Sequence, residues 1–281
     1  MERSTLHTPT PEEVWATQAG KLDFKKLLAE GAHLHHVDDT CGFFPEDPNV
    51  PGTGELPGAG AESIIDPINA VTPYFGENQI GLYDSHPQEG TAYSAATYRA
   101  LGLPKDDYSE LTLNEFQDFR RAGTRFPFDA DRFEQFIEAS GGKITLWPLH
   151  TRKGTPGEKV HPGILTPPKK RFLKGETREI HHFGSRDTYL EEAGNIPHLL
   201  REKVKAILGV GLLEDYCLGI DLLAHAEEGI QTLMLLEGTV ALNAPVSETE
   251  TTQTIMREKL VNAGVIGITL AQFLEQVRSK S

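Results

Sequence analysis

The sequence predicts an α/β fold: a doubly wound, mostly parallel six-stranded sheet with helices on both faces, carrying a helical insertion. Three observations point there. In the C-terminal part, apolar runs at 207–211, 232–236 and 265–268 alternate with helical stretches at 214–228 and 248–263. Strands separated by helices pair in parallel through right-handed crossovers. Nearer the start, two further strand-like segments, 32–37 and 80–83, each end in acidic residues, Asp38-Asp39 and Asp84. Lastly, no repeat or linker divides the 281 residues. The chain therefore reads as one domain over 1–281, with a helical extension at 1–31 and an insertion at 88–140.

Taken in order, Thr10 is placed to cap a first helix, with Pro11 at its first position and Glu13 closing a capping box. The helix is predicted to run to about Gly31 and to bury Val14, Leu22, Leu27 and Leu28. A strand at 32–37 follows, then a Pro/Gly-rich loop at 45–60, a helix at 64–71 and a strand at 80–83. The insertion holds two amphipathic stretches, 111–121 and 129–139, with no strand between them. A strand is expected at 144–147 and a basic, Pro/Gly-rich loop at 151–170. Thr269 with Gln272 caps a last helix ending near Arg278.

A net charge of −14 is the wrong sign for a nucleic-acid or anionic-membrane partner, because phosphates would be repelled. No run approaches the roughly 18 apolar residues of a membrane helix, and the opening residues lack the apolar core of a secretory signal. Only two cysteines, Cys41 and Cys217, are present, so a disulfide framework is not expected and a reducing cytoplasm is. The partner anticipated is a small molecule, and a homo-oligomer is compatible with the composition.

In a doubly wound sheet, reactive groups collect at the carboxyl ends of the strands. Asp38, Asp84 with His86, and His150 each lie just past a predicted strand, and Cys217 opens the helix after 207–211. A cysteine at a helix N-terminus meets the positive end of the dipole, which favours the attacking thiolate. The same N–H groups suit an oxyanion. The alternative for Cys217 is a small core residue. Asp38 suits a base for such a thiol; a solvated turn pair with Asp39 is the rival reading. Asp84-x-His86 places a carboxylate and an imidazole on one face of extended chain. With His150 they form a set suited to one divalent transition metal, Zn first and Fe or Mn as alternatives. Spacing alone leaves that set open. Cys41 reads as an ordinary thiol.

Several segments together resemble the nicotinamidase branch of the isochorismatase-like hydrolases. His36-Val37-Asp38-Asp39-Thr40-Cys41-Gly42-Phe43 is similar to that family's D-x-Q-x-D-F opening, and Asp84-Ser85-His86-Pro87 to its D-W-H-P metal motif. Trp147-Pro148-Leu149-His150 with Gly154-Thr155-Pro156-Gly157 resembles W-P-x-H followed by G-T-P-G, and the segment ending in Asp215-Tyr216-Cys217 resembles the nucleophile elbow. The resemblance implies an Asp–Lys–Cys triad with Asp38 and Cys217. It implies a metal on Asp84, His86 and His150, and a pyridine ring between Phe43 and Trp147. An oxyanion hole at the backbone of Leu213 and Cys217, with a cis peptide before Leu213, is also implied.

This sequence departs from the family pattern at Thr40, Gly42 and Thr151, which stand where the family has Gln, Asp and Cys. The lysine falls on Lys174 in the preferred alignment; the alternative uses a strand at 178–184, putting His182 or Phe183 there. The activity implied is metal-assisted hydrolysis of nicotinamide or a related small amide, through a Cys217 thioester that a water near the metal resolves. The alternatives are a metal-free relative acting on an enol ether or carbamoyl group, and a non-catalytic ligand-binding homologue.

Overall fold

The computed structural model describes residues 9–181, 183–185, 189–190, 194–195, 200 and 203–279. Thr10 caps α1 (Pro11–Ala19) with the expected capping box, but the helix stops at Gly20. A second helix, α2 (Phe24–Ala29), starts afresh because the Asp23 side chain accepts from the Lys26 N–H. The break changes the buried set. Trp15 and Phe24 are the buried anchors of this region, and Val14, Leu22, Leu27 and Leu28 are half-buried. Trp15 also donates from Nε1 to the Val265 carbonyl at 2.8 Å, which fixes α1 against the far edge of the sheet.

The core elements follow as β1 (His33–Val37), α3 (Ile65–Val71) and β2 (Gln79–Asp84). The insertion contributes α4 (Ala95–Ala100), β3 (Glu110–Thr112), α5 (Leu113–Arg121) and α6 (Ala130–Ala139), and β4 (Lys143–Thr145) follows directly after it. After β5 (Lys170–Lys174) come two short paired segments, β6 (Tyr189–Leu190) and β7 (Gly194–Asn195). Then follow β8 (Ala206–Leu212), α7 (Cys217–Glu227), β9 (Gln231–Val240), α8 (Thr252–Asn262), β10 (Ile266–Ile268) and α9 (Leu270–Arg278).

Six strands form one sheet in the order β10-β9-β8-β1-β2-β5, and every neighbouring pair is parallel. The expected fold class holds, with one strand of the sheet in a different place. The segment predicted at 144–147 contributes β4, which pairs antiparallel with β3 in a separate two-stranded sheet. The sixth strand is β5, inside and beyond the predicted 151–170 loop. Its sequence, Lys-Arg-Phe-Leu-Lys after Lys170's neighbour Lys169, looks like loop because edge strands carry charge that discourages further pairing.

Both faces of the sheet are covered. Leu34, Leu208, Val210 and Leu235 pack with Ile64, Ile68 and Phe273 on one side. Val37, Leu82, Ile207 and Met234 pack with Leu218, Leu222 and Leu260 on the other. Burying each such side chain contributes about 1.5–3 kcal/mol. The insertion has a core of its own, built on Tyr98, Leu111, Phe116, Phe133 and Ile137 and continuous with Leu146 and Trp147. No helix among the described residues is long and apolar enough to cross a membrane.

Candidate active site

Parallel pairing brings the carboxyl ends of β1, β2, β5 and β8 together, and the sequence-predicted residues meet there. Asp38 follows β1 with φ at 50°, a left-handed conformation in which aspartate is enriched. One of its oxygens accepts the Asp84 N–H at 2.8 Å. Lys174 is the last residue of β5, directly beside Asp84 in register. Its ammonium lies 2.8 Å from Asp38 Oδ2, donates to Asp84 Oδ1, and sits 3.4 Å from the Cys217 sulfur. Lys174, the residue of the preferred alignment, is thus brought together with Asp38, Asp84 and Cys217. The segment at 178–184, expected as a strand in the rival alignment, is not one among its described residues, and His182 lies outside them. Arg178 instead donates to the Gly90 and Glu89 carbonyls, tying this stretch to the insertion.

Cys217 begins α7, whose first-turn N–H groups lack intrahelical acceptors. The approach to it is shaped by glycine. At Gly211, φ is 112° and a Cβ would stand 1.9 Å from the Val37 carbonyl oxygen, so β8 can lie this close to β1 only with glycine there. The Leu212–Leu213 peptide is cis, as the resemblance implied. The Tyr216 and Leu218 N–H groups both donate to the Leu213 carbonyl at 3.1 Å, wrapping the chain tightly beside the sulfur.

The electrostatics follow from burial. Desolvation together with the neighbouring Asp84 raises Asp38 to about 7, against the opposing pull of Lys174. Burial also pushes the Cys217 thiol well up, although Lys174 favours its thiolate. For Asp84, burial would raise the pKa, but Lys174 and His86 hold it well below the usual carboxylate range. Lys174 loses hydration yet faces two carboxylates, and its ammonium is held well above its ordinary value. The resting site is thus an ammonium between two acids beside a thiol.

Next to this group, Asp84 Oδ2 lies 3.5 Å from His86 Nε2 and 3.5 Å from His150 Nε2, and the two imidazole nitrogens are 3.1 Å apart. Donors bound at about 2.0–2.2 Å around a tetrahedral ion are separated by roughly 3.3–3.6 Å, so this set fits one divalent transition metal. The outer partners agree. His86 Nδ1 faces the Gly175 carbonyl at 3.0 Å and His150 Nδ1 the Pro148 carbonyl at 2.8 Å. Those acceptors take the Nδ1 protons and leave both Nε2 lone pairs directed at the common point. At Gly175, φ is 72° and a Cβ would stand 2.4 Å from the His86 ring, so the close carbonyl requires glycine. His150 is held by the backbone after it: the His86 N–H donates to Thr151 O at 3.1 Å and the Lys153 N–H to His86 O at 2.8 Å.

A chamber of about 30 Å³ opens onto the sulfur, walled by Phe43, Leu56, Trp147, Phe183, Leu213 and Tyr216. Phe43 and Trp147, predicted to flank a ring, both line it. A wider recess of about 190 Å³ continues past Trp147 and Tyr216 to Phe136 of the insertion and to Lys143 and Ile144 of β4. A more open surface recess of about 300 Å³ near Pro87 and Lys153 contains no cysteine and no convergent donor set. Cys41 is buried away from the chamber wall, with its thiol 3.9 Å from the Val160 carbonyl. One side chain escaped the sequence reading: His181, buried against the metal-ligand set. Its neighbour in sequence drew attention only as a rival to Lys174, and no spacing rule links it to Asp84 or His150.

No family model matches the chain. A curated nicotinamidase from Acinetobacter baylyi is 23% identical over 228 residues, covering 79% of this chain and 87% of that protein. Among solved structures, a nicotinamidase/pyrazinamidase from Acinetobacter baumanii superposes with a TM-score of 0.63 at 20% identity, covering 87% of this chain and 99% of its own. The pyrazinamidase of Pyrococcus horikoshii in complex with zinc gives 0.53 at 16% identity, covering 85% and 99%. At these identities the likeness is one of fold: the chain shares the α/β architecture of the solved nicotinamidase and pyrazinamidase structures over most of its length.

Proposed function

We propose that this protein is a metal-assisted cysteine amidohydrolase that converts nicotinamide or a related small heteroaromatic carboxamide to the acid and ammonia. The observation that carries the proposal is the Lys174 ammonium, poised between Asp38 and Asp84 and 3.4 Å from the Cys217 sulfur. Buried, mutually coupled charges beside a thiol in a cleft are the arrangement that activates a nucleophile. The converging Nε2 atoms of His86 and His150 weigh against a metal-free relative. The curated and solved relatives are nicotinamidases and pyrazinamidases, and one of them holds zinc.

In this reading the substrate ring enters between Phe43 and Trp147 with its carboxamide carbon over the sulfur. Asp38, near neutrality in its pKa, takes the thiol proton as Cys217 attacks. The carbonyl oxygen, now an oxyanion, accepts from the Leu213 and Cys217 N–H groups. Collapse breaks the C–N bond, Asp38 returns the proton to the leaving nitrogen, and ammonia departs. Asp38 then deprotonates a water that attacks the thioester, releasing the carboxylic acid and the thiol. Lys174 holds Asp38 in place and offsets the charge that moves between carboxylate and sulfur. A divalent ion on Asp84, His86 and His150 would supply Lewis-acid polarisation and positive charge to the same chamber.

The test is ammonia release from a panel of amides, nicotinamide first, beside elemental analysis of the purified protein. Turnover with about one transition metal per chain is expected. Tight pyridine binding without ammonia release would replace the catalytic reading with a binding one.

A further inference from the structure

Asp84, His86 and His150 are not alone at the metal locus. His181 brings a ring nitrogen into the same group, with the ligand atoms of all four residues within 4.8 Å of one another. Its ring lies 5.7 Å from that of His86 and 6.4 Å from that of His150, centroid to centroid. It is 7% exposed, and neither ring nitrogen has a hydrogen-bond partner among the described residues. A neutral imidazole has one N–H and one lone pair, and leaving such groups buried and unmet is unfavourable. Other buried histidines of the site do not show this. His86 and His150 both have their Nδ1 satisfied by carbonyls.

Packing holds the ring where it is. Tyr93 stacks on it at 4.5 Å with 12° between planes, while Phe183 presses from another side at 4.0 Å. Tyr93 Oη also reaches His86 Nδ1 at 3.1 Å, so one tyrosine supports both imidazoles. The segment leading to His181 is fastened to the insertion through its backbone and one side chain: the Ala92 N–H donates to Arg178 O at 2.6 Å and the Asp129 N–H to the Glu179 carboxylate at 3.1 Å. The insertion thus sets the position of His181 as well as the outer wall of the chamber.

We propose that His181 is a fourth protein ligand of the divalent metal, completing an Asp84–His86–His150–His181 set. This rests on the metal-assisted reading above and adds to it. Metal coordination would engage a lone pair that nothing else in the described structure engages. A set of one carboxylate and three imidazoles suits Zn²⁺ or Fe²⁺ and retains it more tightly than three ligands would.

The test compares wild type, His181→Ala, His181→Asp and His86→Ala, each reconstituted with Zn²⁺ and titrated against a chromophoric chelator. In His181→Ala, zinc affinity should fall by more than the roughly 10–100-fold that loss of an outer-shell partner costs. His181→Asp, which restores a ligating oxygen, should recover part of it. On Co²⁺ substitution the visible bands of His181→Ala should shift from those of wild type. X-ray absorption on the wild-type zinc protein, which needs no variant to fold, should count three imidazoles. Zinc affinity and cobalt bands unchanged in His181→Ala, or two imidazoles by absorption, would overturn the proposal while a metal-free His86→Ala left the three-ligand reading standing. A wild type that binds no metal, or a His86→Ala that binds it fully, would overturn that reading and this inference with it.

Discussion

At the scale of single residues, the site is governed by three charges in a space that excludes water. Asp38, Asp84 and Lys174 are each 1% exposed or less, and the ammonium is shared between two carboxylates. Removing one member of a buried ionic group costs about 3–5 kcal/mol, because the others stay buried and uncompensated. Lys174→Ala is therefore expected to lower the thermal midpoint as well as kcat, the latter by about 10²–10⁴-fold, the range for a positioned acid–base or charge-stabilising group. Calorimetry and a steady-state assay read the two effects separately; a silent Lys174→Ala would remove it from the machinery. The cysteines should separate cleanly. Cys217→Ala is expected to abolish ammonia release with the fold intact, since a small group replaces the nucleophile and no polar atom is newly buried. Cys41 lies outside the chamber, so Cys41→Ala should keep most activity. Equal losses from both would rule out Cys217 as sole nucleophile.

At the scale of elements, two pieces position the chemistry from outside it. The segment after β4 docks on the insertion, where the Trp147 N–H donates to Tyr93 O at 2.9 Å and the Ala95 N–H to Trp147 O at 3.1 Å. That segment carries Trp147 into the chamber and His150 to the metal locus. Trp147 contacts the bound ring in the proposed reading but not the reacting bonds. Trp147→Ala should raise KM for a heteroaromatic amide much more than it lowers kcat. A fall in kcat with unchanged KM would contradict that role. The second piece is α7, whose Asp221 lies under β1. Its carboxylate is 3.0 Å from His35 Nδ1 and 3.5 Å from His225 Nε2, and it accepts the Ser185 N–H at 3.1 Å. Burial alone would raise the Asp221 pKa, but the two imidazoles hold it well below the ordinary range. A depressed carboxylate contributes stability above the unfolded pKa of about 4, and loses it as pH falls from there toward the folded value. Asp221→Asn should cost about 3–5 kcal/mol at neutral pH and flatten the acid limb of a stability–pH profile below about pH 4. A variant as stable as wild type would show the cluster to be dispensable.

At the scale of the whole molecule, the metal locus joins separate parts of the chain. Asp84 and His86 come from β2 and its exit, His150 from the segment beyond the insertion. In the proposed reading an ion bound there would tie the segment after β4 to the exit of β2, and binding to the native state alone stabilises by RT ln(1 + [L]/Kd), about 2.7 kcal/mol at 100 times Kd. Removing the metal with a strong chelator is therefore expected to lower the unfolding midpoint, and readdition to restore it. His86→Ala and His150→Ala should each lose that response along with metal content. A midpoint indifferent to chelation would mean that no structural tether passes through the ion.

The sequence by itself determined the alternation that makes the fold. The runs behind β8, β9 and β10 and the helices between them are strongly periodic, and burial on both faces leaves them little polar character to obscure the pattern. It also determined which chemical groups stand at strand ends, so Asp38, Asp84, His86 and Cys217 are legible in it, whereas His150 follows β4 of the separate two-stranded sheet and is marked only by the motif around it. Only the tertiary structure decided what depends on neighbours distant in sequence. β5 is an edge strand whose basic residues look like loop until β2 pairs with it, and that pairing is what selects Lys174 over the 178–184 segment. The 144–147 run is as apolar as a core strand, but contacts with Tyr93, Ala95 and β3 take it into the insertion instead. His181 is the extreme case. Nothing in its local sequence distinguishes it, because its place beside His86 and His150 is fixed by a stack on Tyr93 and by backbone anchors on residues 92 and 129. Local periodicity reports which face a residue buries; which side chains meet at a point is set by packing between elements far apart along the chain.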